Sequence, residues 1–316
     1  MMMENLKIYF SAFVLITTFF SSCKEEPPYI NYAAPQSVFD TTYIKIPADS
    51  ALPKQVLIED ISGAACINCP LAAAIAKSIE VANPGKVNVV TLYPNYPGLT
   101  TLVHPINING YVSKYDFRID AAANIISAVS APSTLPNGYI DRKNFTGSVW
   151  YEPKENWNAD VASELTTTSP VNIDIVPTYN ASNNQLNVDV TLSYTKADSG
   201  SNYINVMILQ DSILDLQESK DVNGNFIYDT AYVHNHTLMD MLTAPMGDLL
   251  NTSSGKNIVP GRVFKIGYQK TLSARNSSPS SYPQPQWDQK HLSILVFVTE
   301  GSTTKYVLQS KIVAIP

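Results

Sequence analysis

Two cysteines separated by two residues, between a predicted strand and a predicted helix, constrain the fold of this 316-residue chain more than any other feature. A run rich in β-branched residues at 56–60 predicts a buried strand, and Cys66-Ile67-Asn68-Cys69-Pro70 follows it. Apolar residues then recur at helical spacing until Asn83-Pro84-Gly85, which ends the helix. Residues 86–92 predict a second strand. The cysteines are therefore expected at the N-terminus of a helix that joins two strands.

This placement of a C-x-x-C pair is typical of a thioredoxin-like redox motif. Unpaired amides and the helix dipole favour a thiolate at Cys66, which would be the nucleophile, and Cys69 could resolve a mixed disulfide. Asp60 resembles the buried aspartate that accepts a proton in thioredoxins, because it lies six residues before Cys66. The resemblance implies the same supporting role here.

A second resemblance concerns the turn that precedes a later strand. Leu135-Pro136-Asn137-Gly138 resembles the cis-proline turn of thioredoxins, in which the proline packs against the disulfide. Pro132 is the rival for this position, because few X–Pro bonds are cis.

The motif also departs from a working oxidoreductase. Ala65 stands where an aromatic residue usually precedes the first cysteine, Ile67-Asn68 replaces Gly-Pro, and no lysine is placed as a partner for Asp60. In an oxidising compartment two such cysteines can also form a purely structural disulfide. The sequence leaves both interpretations of Cys66 and Cys69 open.

The N-terminus predicts a lipoprotein signal peptide over residues 1–22. A short positive segment precedes an apolar run at 8–20, which is too short to span a bilayer comfortably, and small residues lead into Cys23. Signal peptidase II would cut before Cys23, whose thiol would carry the lipid. We expect the mature protein to be anchored to outer-membrane lipid through this residue and not to span the membrane.

The residues after the lipid anchor resemble an export signal. Lys24, Glu25 and Glu26 match the charge pattern that directs lipoproteins of Bacteroidota to the outer face of the outer membrane, although a solvated charge run is the alternative. Residues 23–50 as a whole are predicted to be a lipidated tether.

From Ser169 the apolar periodicity changes to two, which predicts half-buried strands. The strand patterns lie at residues 171–175, 186–192, 203–209, 264–268, 292–298 and 306–315. Residues 169–316 are therefore expected to form an all-β, immunoglobulin-like sandwich. It would follow an α/β thioredoxin-like domain over residues 51–168.

Two polar segments of this second region have competing interpretations. Asn223-Gly224 predicts a hairpin turn, and the surrounding 221–225 segment imitates a calcium loop without its required glycine and glutamate positions. His234-Asn235-His236 could place two metal ligands on one strand face, but a turn into a helix over residues 237–242 is the favoured interpretation.

Charge and composition exclude several function classes. The chain has 21 basic and 27 acidic residues, a net charge of -6 and no basic stripe, so nucleic-acid binding has no electrostatic basis. With three cysteines and four histidines, we expect no metal and no other cofactor.

Taken together, the chain resembles the Omp-twenty-eight-related lipoproteins of Bacteroidota. The matching stretches are residues 56–63, 66–70, 136–142 and 233–236. The resemblance implies an outer-membrane lipoprotein with a thioredoxin-like domain, a β-sandwich and a role in surface binding or adhesion.

Two functions follow from these observations. The first is a surface-exposed lipoprotein that binds a ligand outside the cell or in the envelope, and the second is a periplasm-facing thiol-disulfide oxidoreductase. The first is favoured because a protein on the cell exterior has no evident reductant.

Four residues match a rule for Bacteroidota-type O-glycosylation, in which Asp precedes Ser or Thr and a small or aliphatic residue or Thr follows. They are Thr41, Ser50, Ser212 and Thr230. Ordinary turn chemistry is the alternative explanation for Asp-Ser and Asp-Thr pairs.

Overall fold

The computed structural model describes residues 37–251, 256–275, 278–301 and 305–316. The predicted signal peptide, Cys23, the Lys24-Glu25-Glu26 triplet and the predicted tether up to residue 36 lie outside these residues. Within the described ranges, none of the helices combines the length and the apolar character that crossing a membrane requires.

A mixed eight-stranded sheet organises the molecule. In spatial order its strands are β16 (Tyr306–Ala314), β15 (Leu292–Glu300), β9 (Asn202–Gln210), β12 (Thr237–Met241), β3 (Val87–Leu92), β2 (Val56–Ile61) and β6 (Asn137–Ile140), and β13 (Asp248–Leu249) also pairs with β9. β2 and β3 run parallel, whereas β6 is antiparallel to β2. The N-terminal region is thus mixed α/β with a sheet that contains parallel strands, and the C-terminal region is mostly β.

The sheet continues across the predicted domain boundary at residue 168. β3 of the first region pairs in parallel with β12 of the second, where Thr91 lies beside Thr237. The two regions therefore share one sheet, and their division into domains at residues 168 and 169 stays a prediction.

Four helices accompany the sheet: α1 (Cys69–Ala82), α2 (Thr100–Val103), α3 (Asp120–Val129) and α4 (Trp157–Glu164). α1 begins with Pro70, whose missing amide costs nothing there, and Asn83 ends it by returning hydrogen bonds to Ile79. Trp157 of α4 is fully buried and lies where a side chain at Gly138 would clash with it, so this strand position requires glycine.

A second, four-stranded sheet packs on the C-terminal part of the first. Its order is β1 (Phe39–Ile44), β14 (Arg262–Thr271), β8 (Gln185–Tyr194) and β7 (Val171–Asn180), all antiparallel. Inward residues of β7 and β8 alternate with exposed ones, as the period of two predicted, and they form one core cluster with β9 and β15.

β1 was not expected, because its residues fall in the predicted tether. Phe39 explains the pairing: its ring lies over Gly267 of β14, at a place where any larger residue would meet the ring. Residues 39–44 thus belong to the folded part of the chain.

Two hairpins project from this framework. β10 (Ile213–Lys220) and β11 (Phe226–His234) are joined by the predicted turn, in which Gly224 has a φ of 82°. β4 (Asn107–Ile108) and β5 (Tyr111–Val112) form a short hairpin within the long segment after β3.

The helix expected over residues 237–242 is wrong. These residues form strand β12, because they lie between β9 and β3 and pair with both. Hydrogen bonding with two neighbouring strands outweighs local helix propensity here.

Candidate functional site

Cys66 and Cys69 form a disulfide at the start of α1. Both residues are almost fully buried, with 2% and 1% of their surface exposed. They pack in one apolar cluster with Leu57 and Ile61 of β2 and with Leu135. The C-x-x-C pair is therefore part of the core in this structure.

The hairpin of β10 and β11 covers the loop that carries the cysteines. The side-chain amide of Gln217 donates to the backbone carbonyls of Gly63 and Cys66, both at 3.1 Å. The amide of Glu218 donates to the carbonyl of Ala64 at 2.9 Å. A reactant thiol that approaches the disulfide from this side would have to displace the hairpin.

The segment after β3 also contacts this loop. The amide of Ala65 donates to the carbonyl of Leu102 in α2 at 3.0 Å. Gly63 allows this approach, because a Cβ at that position would lie 2.1 Å from the Leu102 carbonyl oxygen. The loop is thus held between two parts of the chain that are distant in sequence.

Asp60 lies on β2, the strand next to the sheet edge, between Thr91 of β3 and Gly138 of β6. The residue is 1% exposed, and neither carboxylate oxygen has a hydrogen-bond partner among the described residues. Burial raises the pKa of Asp60 to about 7. Leu57 and Ile61, which pack with the disulfide, leave β2 on the face opposite to Asp60, so its role as a proton acceptor for Cys69 stays a prediction.

Pro136 follows a cis peptide bond after Leu135, and β6 begins with the next residue. The rival, Pro132, is buried and its peptide bond is trans. Leu135 belongs to the same apolar core cluster as both cysteines. The role of Pro136 in shaping a substrate groove stays a prediction.

The two histidines of His234-Asn235-His236 border the same cavity in different environments. His234 is buried, and its Nδ1 lies 2.8 Å from the hydroxyl of Tyr93, whereas His236 lies between Asp211 and Glu80 at the surface. Within the described ranges, no group of three His, Cys, Asp or Glu residues could hold a metal ion.

The segment that imitates a calcium loop is a hydrogen-bonded turn. The carboxylate of Asp221 accepts hydrogen bonds from the backbone amides of Asn223 and Asn225. These bonds fix the tight connection between β10 and β11.

Three aromatic residues form a partly exposed group, here called the ring cluster, where the two hairpins meet. Tyr111 stacks on Tyr228 with ring centres 4.6 Å apart, and Phe226 lies perpendicular to Tyr228 at 4.7 Å. Tyr111 and Phe226 are 40% and 47% exposed. No pattern in the sequence indicates this cluster, because only the tertiary fold brings residue 111 beside residues 226 and 228.

The four O-glycosylation candidates are all exposed. Thr41 lies on β1, Ser50 on the following segment, Ser212 just before β10 and Thr230 on β11. Each is accessible to a modifying enzyme, and the modification itself stays a prediction.

Comparison with known proteins agrees with this fold. No curated protein matches the chain in sequence. Among solved structures, HBP35 of Porphyromonas gingivalis aligns with a TM-score of 0.59 over 84% of this chain and 77% of its own length, at 17% identity. At this identity the match shows a shared fold alone. Protein AGR_C_4864 from Agrobacterium tumefaciens covers 84% of this chain and 96% of its own, at 10% identity, but its TM-score of 0.46 is too low to support an argument.

The sequence also matches a protein-family model, and this match establishes the family of the chain. The family model described as outer membrane protein Omp28 matches residues 124–315, which are more than half of the chain and include the whole C-terminal β region. The chain therefore belongs to the Omp28 family of outer membrane proteins, in agreement with the resemblance drawn from its sequence.

Proposed function

We propose that this chain is a lipid-anchored outer-membrane protein that faces the cell exterior, binds a ligand there and uses Cys66–Cys69 as a structural disulfide. Family membership supports the outer-membrane location. The lipid on Cys23 and the export signal at Lys24, Glu25 and Glu26 are the parts of the proposal that rest on sequence alone.

The observation that carries the proposal is the enclosure of the C-x-x-C loop by the hairpin of β10 and β11. Thiol-disulfide exchange requires direct attack of a thiolate on a disulfide sulfur, so access limits the reaction. Cys66 is 2% exposed, and the side-chain amide of Gln217 donates a hydrogen bond to its backbone carbonyl. This arrangement supports a disulfide that fixes the hairpin in place and does not exchange with partners.

The hairpin that covers the cysteines also contributes to the ring cluster. Tyr228 packs against Leu216 and Ala65 below it, while Phe226 and Tyr111 remain open to solvent. Exposed apolar side chains in one patch are a usual mark of a binding surface, and aromatic residues dominate binding energies. We therefore assign the binding surface to the ring cluster and the exposed apolar residues beside it, Ile108 and Val112.

We also propose that the N-terminal region is thioredoxin-like and that the C-terminal region is an immunoglobulin-like sandwich. The order β3-β2-β6, with β6 antiparallel and α1 joining β2 to β3, supports a thioredoxin-like arrangement. The packing of the four-stranded sheet on β9, β15 and β16 supports a sandwich of the immunoglobulin-like type.

Surface exposure is tested by adding protease to intact cells. The wild type should be cleaved, whereas a variant with Lys24, Glu25 and Glu26 replaced by alanine should be protected. Cys23→Ala should lose its lipid label. Equal cleavage of the triplet variant would contradict the export signal, and continued lipid labelling of Cys23→Ala would contradict the anchor.

The binding role is tested by attachment of displaying cells to a fixed panel of immobilised glycans and extracellular proteins. Tyr111→Ser/Phe226→Ser should reduce attachment at least about tenfold, because losing an aromatic hot spot costs about 2 kcal/mol or more. Val176→Ser, which removes an exposed apolar residue from β7, is the matched control. Equal attachment by wild type and the double variant would contradict the assigned surface.

The alternative, a periplasm-facing oxidoreductase, makes the opposite prediction. In that case the mature protein would reduce insulin disulfides with robust turnover, and Cys66→Ser would abolish it. We expect weak or no turnover, because the nucleophile is enclosed.

A further inference from the structure

A cavity with polar and apolar lining opens between α1 and the segment from the end of β11 to the start of β12. Its volume is about 230 Å³. Ala73 and Ala76 of α1 form one wall, and their small side chains leave the space open. The ring cluster is not part of this cavity, so a ligand bound here would be independent of the binding role assigned to the ring cluster.

Asp60 lines this cavity with a carboxylate that has no partner for either oxygen in the described part of the chain. Two other buried acids of the described structure have arginine partners: Glu59 pairs with Arg142, and Asp116 pairs with Arg118. Because buried polar groups in native proteins are nearly always hydrogen-bonded, an unpaired carboxylate beside open space indicates a ligand that donates hydrogen bonds.

Aromatic rings form another wall. His234 lies edge-to-face with Tyr232, at a centre distance of 4.8 Å, and with Tyr93, at 5.9 Å. Burial lowers the pKa of His234 to about 3, so this ring is neutral and contributes no positive charge. Burial raises the pKa of the Tyr93 and Tyr232 hydroxyls, and the negative charge of Asp60 raises both further.

The charge around the opening is negative. Asp211 lines the cavity, and Glu80 lies beside it, with His236 between the two acids. Lys77 also belongs to the lining and pairs with Glu80 at 2.7 Å, so these two charges cancel and the negative charge at the opening is that of Asp211. An acceptor-only carboxylate, π faces and a negative rim together favour a cation and disfavour an anion.

We propose that this cavity binds a small organic ammonium ion, whose N–H groups donate to Asp60 and whose alkyl part lies against Tyr93, Tyr232 and His234. The volume corresponds to roughly eight water molecules at about 30 Å³ each, which suits an amine of a few carbon atoms. Ammonium groups are attracted to aromatic faces, most strongly when they are desolvated.

The test measures thermal unfolding of the full mature protein at pH 8.5 with increasing ethylammonium chloride, against sodium chloride at the same concentration. Asp60 is mostly ionised at this pH, because its pKa is about 7. The unfolding midpoint should rise in a saturable manner with ethylammonium, as mass action requires of a ligand that binds the folded state.

Two variants and a control make the outcome specific. Asp60→Asn keeps the shape of the side chain and should abolish the rise. Ala73→Leu fills the cavity without touching the carboxylate and should reduce the apparent affinity at least tenfold. Asp189→Asn, which removes an exposed carboxylate from β8, should behave as the wild type.

Two results would overturn the proposal. A wild-type midpoint that is the same in ethylammonium and sodium would mean that the cavity holds only water. A rise of equal size in wild type, Asp60→Asn and Ala73→Leu would mean that the cation acts elsewhere on the protein.

Discussion

The side-chain amide of Gln217 lies 3.1 Å from the backbone carbonyl of Cys66, although 151 residues separate them in the chain. Gln217 is 1% exposed, and the same amide also reaches the carbonyls of Gly63 and Glu218. One side chain of the β region therefore contributes a second hydrogen bond to two carbonyls of the C-x-x-C loop. This contact turns a motif that is reactive in other settings into a closed part of the core.

Gln217→Ala should loosen this closure. The carbonyls of Cys66 and Gly63 keep a second hydrogen bond, from the backbone amides of Cys69 and Cys66, so losing the Gln217 donor should lower stability by about 1 kcal/mol, the net contribution of a typical hydrogen bond. If reduction requires opening of the hairpin, the disulfide should react with dithiothreitol at least about fivefold faster, the factor that corresponds to 1 kcal/mol. Thiol trapping followed by mass measurement gives the rate. Gln269→Ala, at an exposed position on β14, is the control, and a rate equal to wild type in Gln217→Ala would contradict the role of the hairpin as a cover.

Arg142 and Glu59 form a buried ion pair with two parallel hydrogen bonds of 2.7 Å. Arg142→Met should lower the free energy of unfolding by about 3–5 kcal/mol, because it leaves the carboxylate of Glu59 buried without a partner. Adding Glu59→Gln should recover part of the loss, since the unpaired charge is then removed. Denaturant unfolding of both single variants and the double variant measures this. Losses that simply add in the double variant would show that the two side chains are not coupled.

Asp60 should make the protein less stable as the pH rises. Its pKa is about 7 in the folded protein and near 3.8 when unfolded, so between these values the folded state binds more protons. The contribution of Asp60 is therefore present below pH 4 and decreases through pH 7, by roughly 4 kcal/mol in total. Asp60→Asn removes this dependence, and its advantage over wild type should grow from pH 4 to pH 8.

Asp141 adds a pH dependence of its own, so the pH experiment compares Asp60→Asn with the wild type. Burial also raises the pKa of Asp141 to about 7, but this group is the same in wild type and Asp60→Asn. Only the difference between the two unfolding free energies reports on Asp60. A difference that stays constant with pH would show that Asp60 does not titrate in this window.

Thr41 and Ser50 should carry glycans in the protein isolated from its native source. Both are exposed, and both lie at the N-terminal end of the folded region. Thr41→Val/Ser50→Ala should lower the intact mass by more than the substitutions themselves account for. A wild-type mass equal to that of the lipidated polypeptide would remove the prediction for all four sites, including Ser212 and Thr230.

Much of the local structure followed from short-range patterns. The period of two located β7, β8 and β14, and Asn223-Gly224 located the turn of the projecting hairpin, because pleat alternation and turn geometry depend on neighbouring residues. β12 shows the limit of this reasoning, since its residues are a strand only because two other strands flank them.

At the candidate site too, local patterns located individual residues, but they did not predict the contacts between distant segments. The sequence located Asp60, Cys66 and Cys69 on their elements, and it indicated that Asp60 lacks a lysine partner. It could not show that the β10–β11 hairpin covers the cysteines or that Tyr111 meets Tyr228. Both contacts join segments more than 100 residues apart, and no local pattern encodes them.

By itself, then, the sequence determined the family, the strand-helix-strand unit around the cysteines and the strand content of the second half, all of which depend on short-range order and on composition. Only the tertiary structure decided that both halves share one sheet, that the C-x-x-C loop is closed and that Asp60 borders an open cavity. The physical reason is that accessibility and unpaired charge are properties of the packed whole. They depend on which distant side chains arrive beside a residue, and not on its neighbours in the chain.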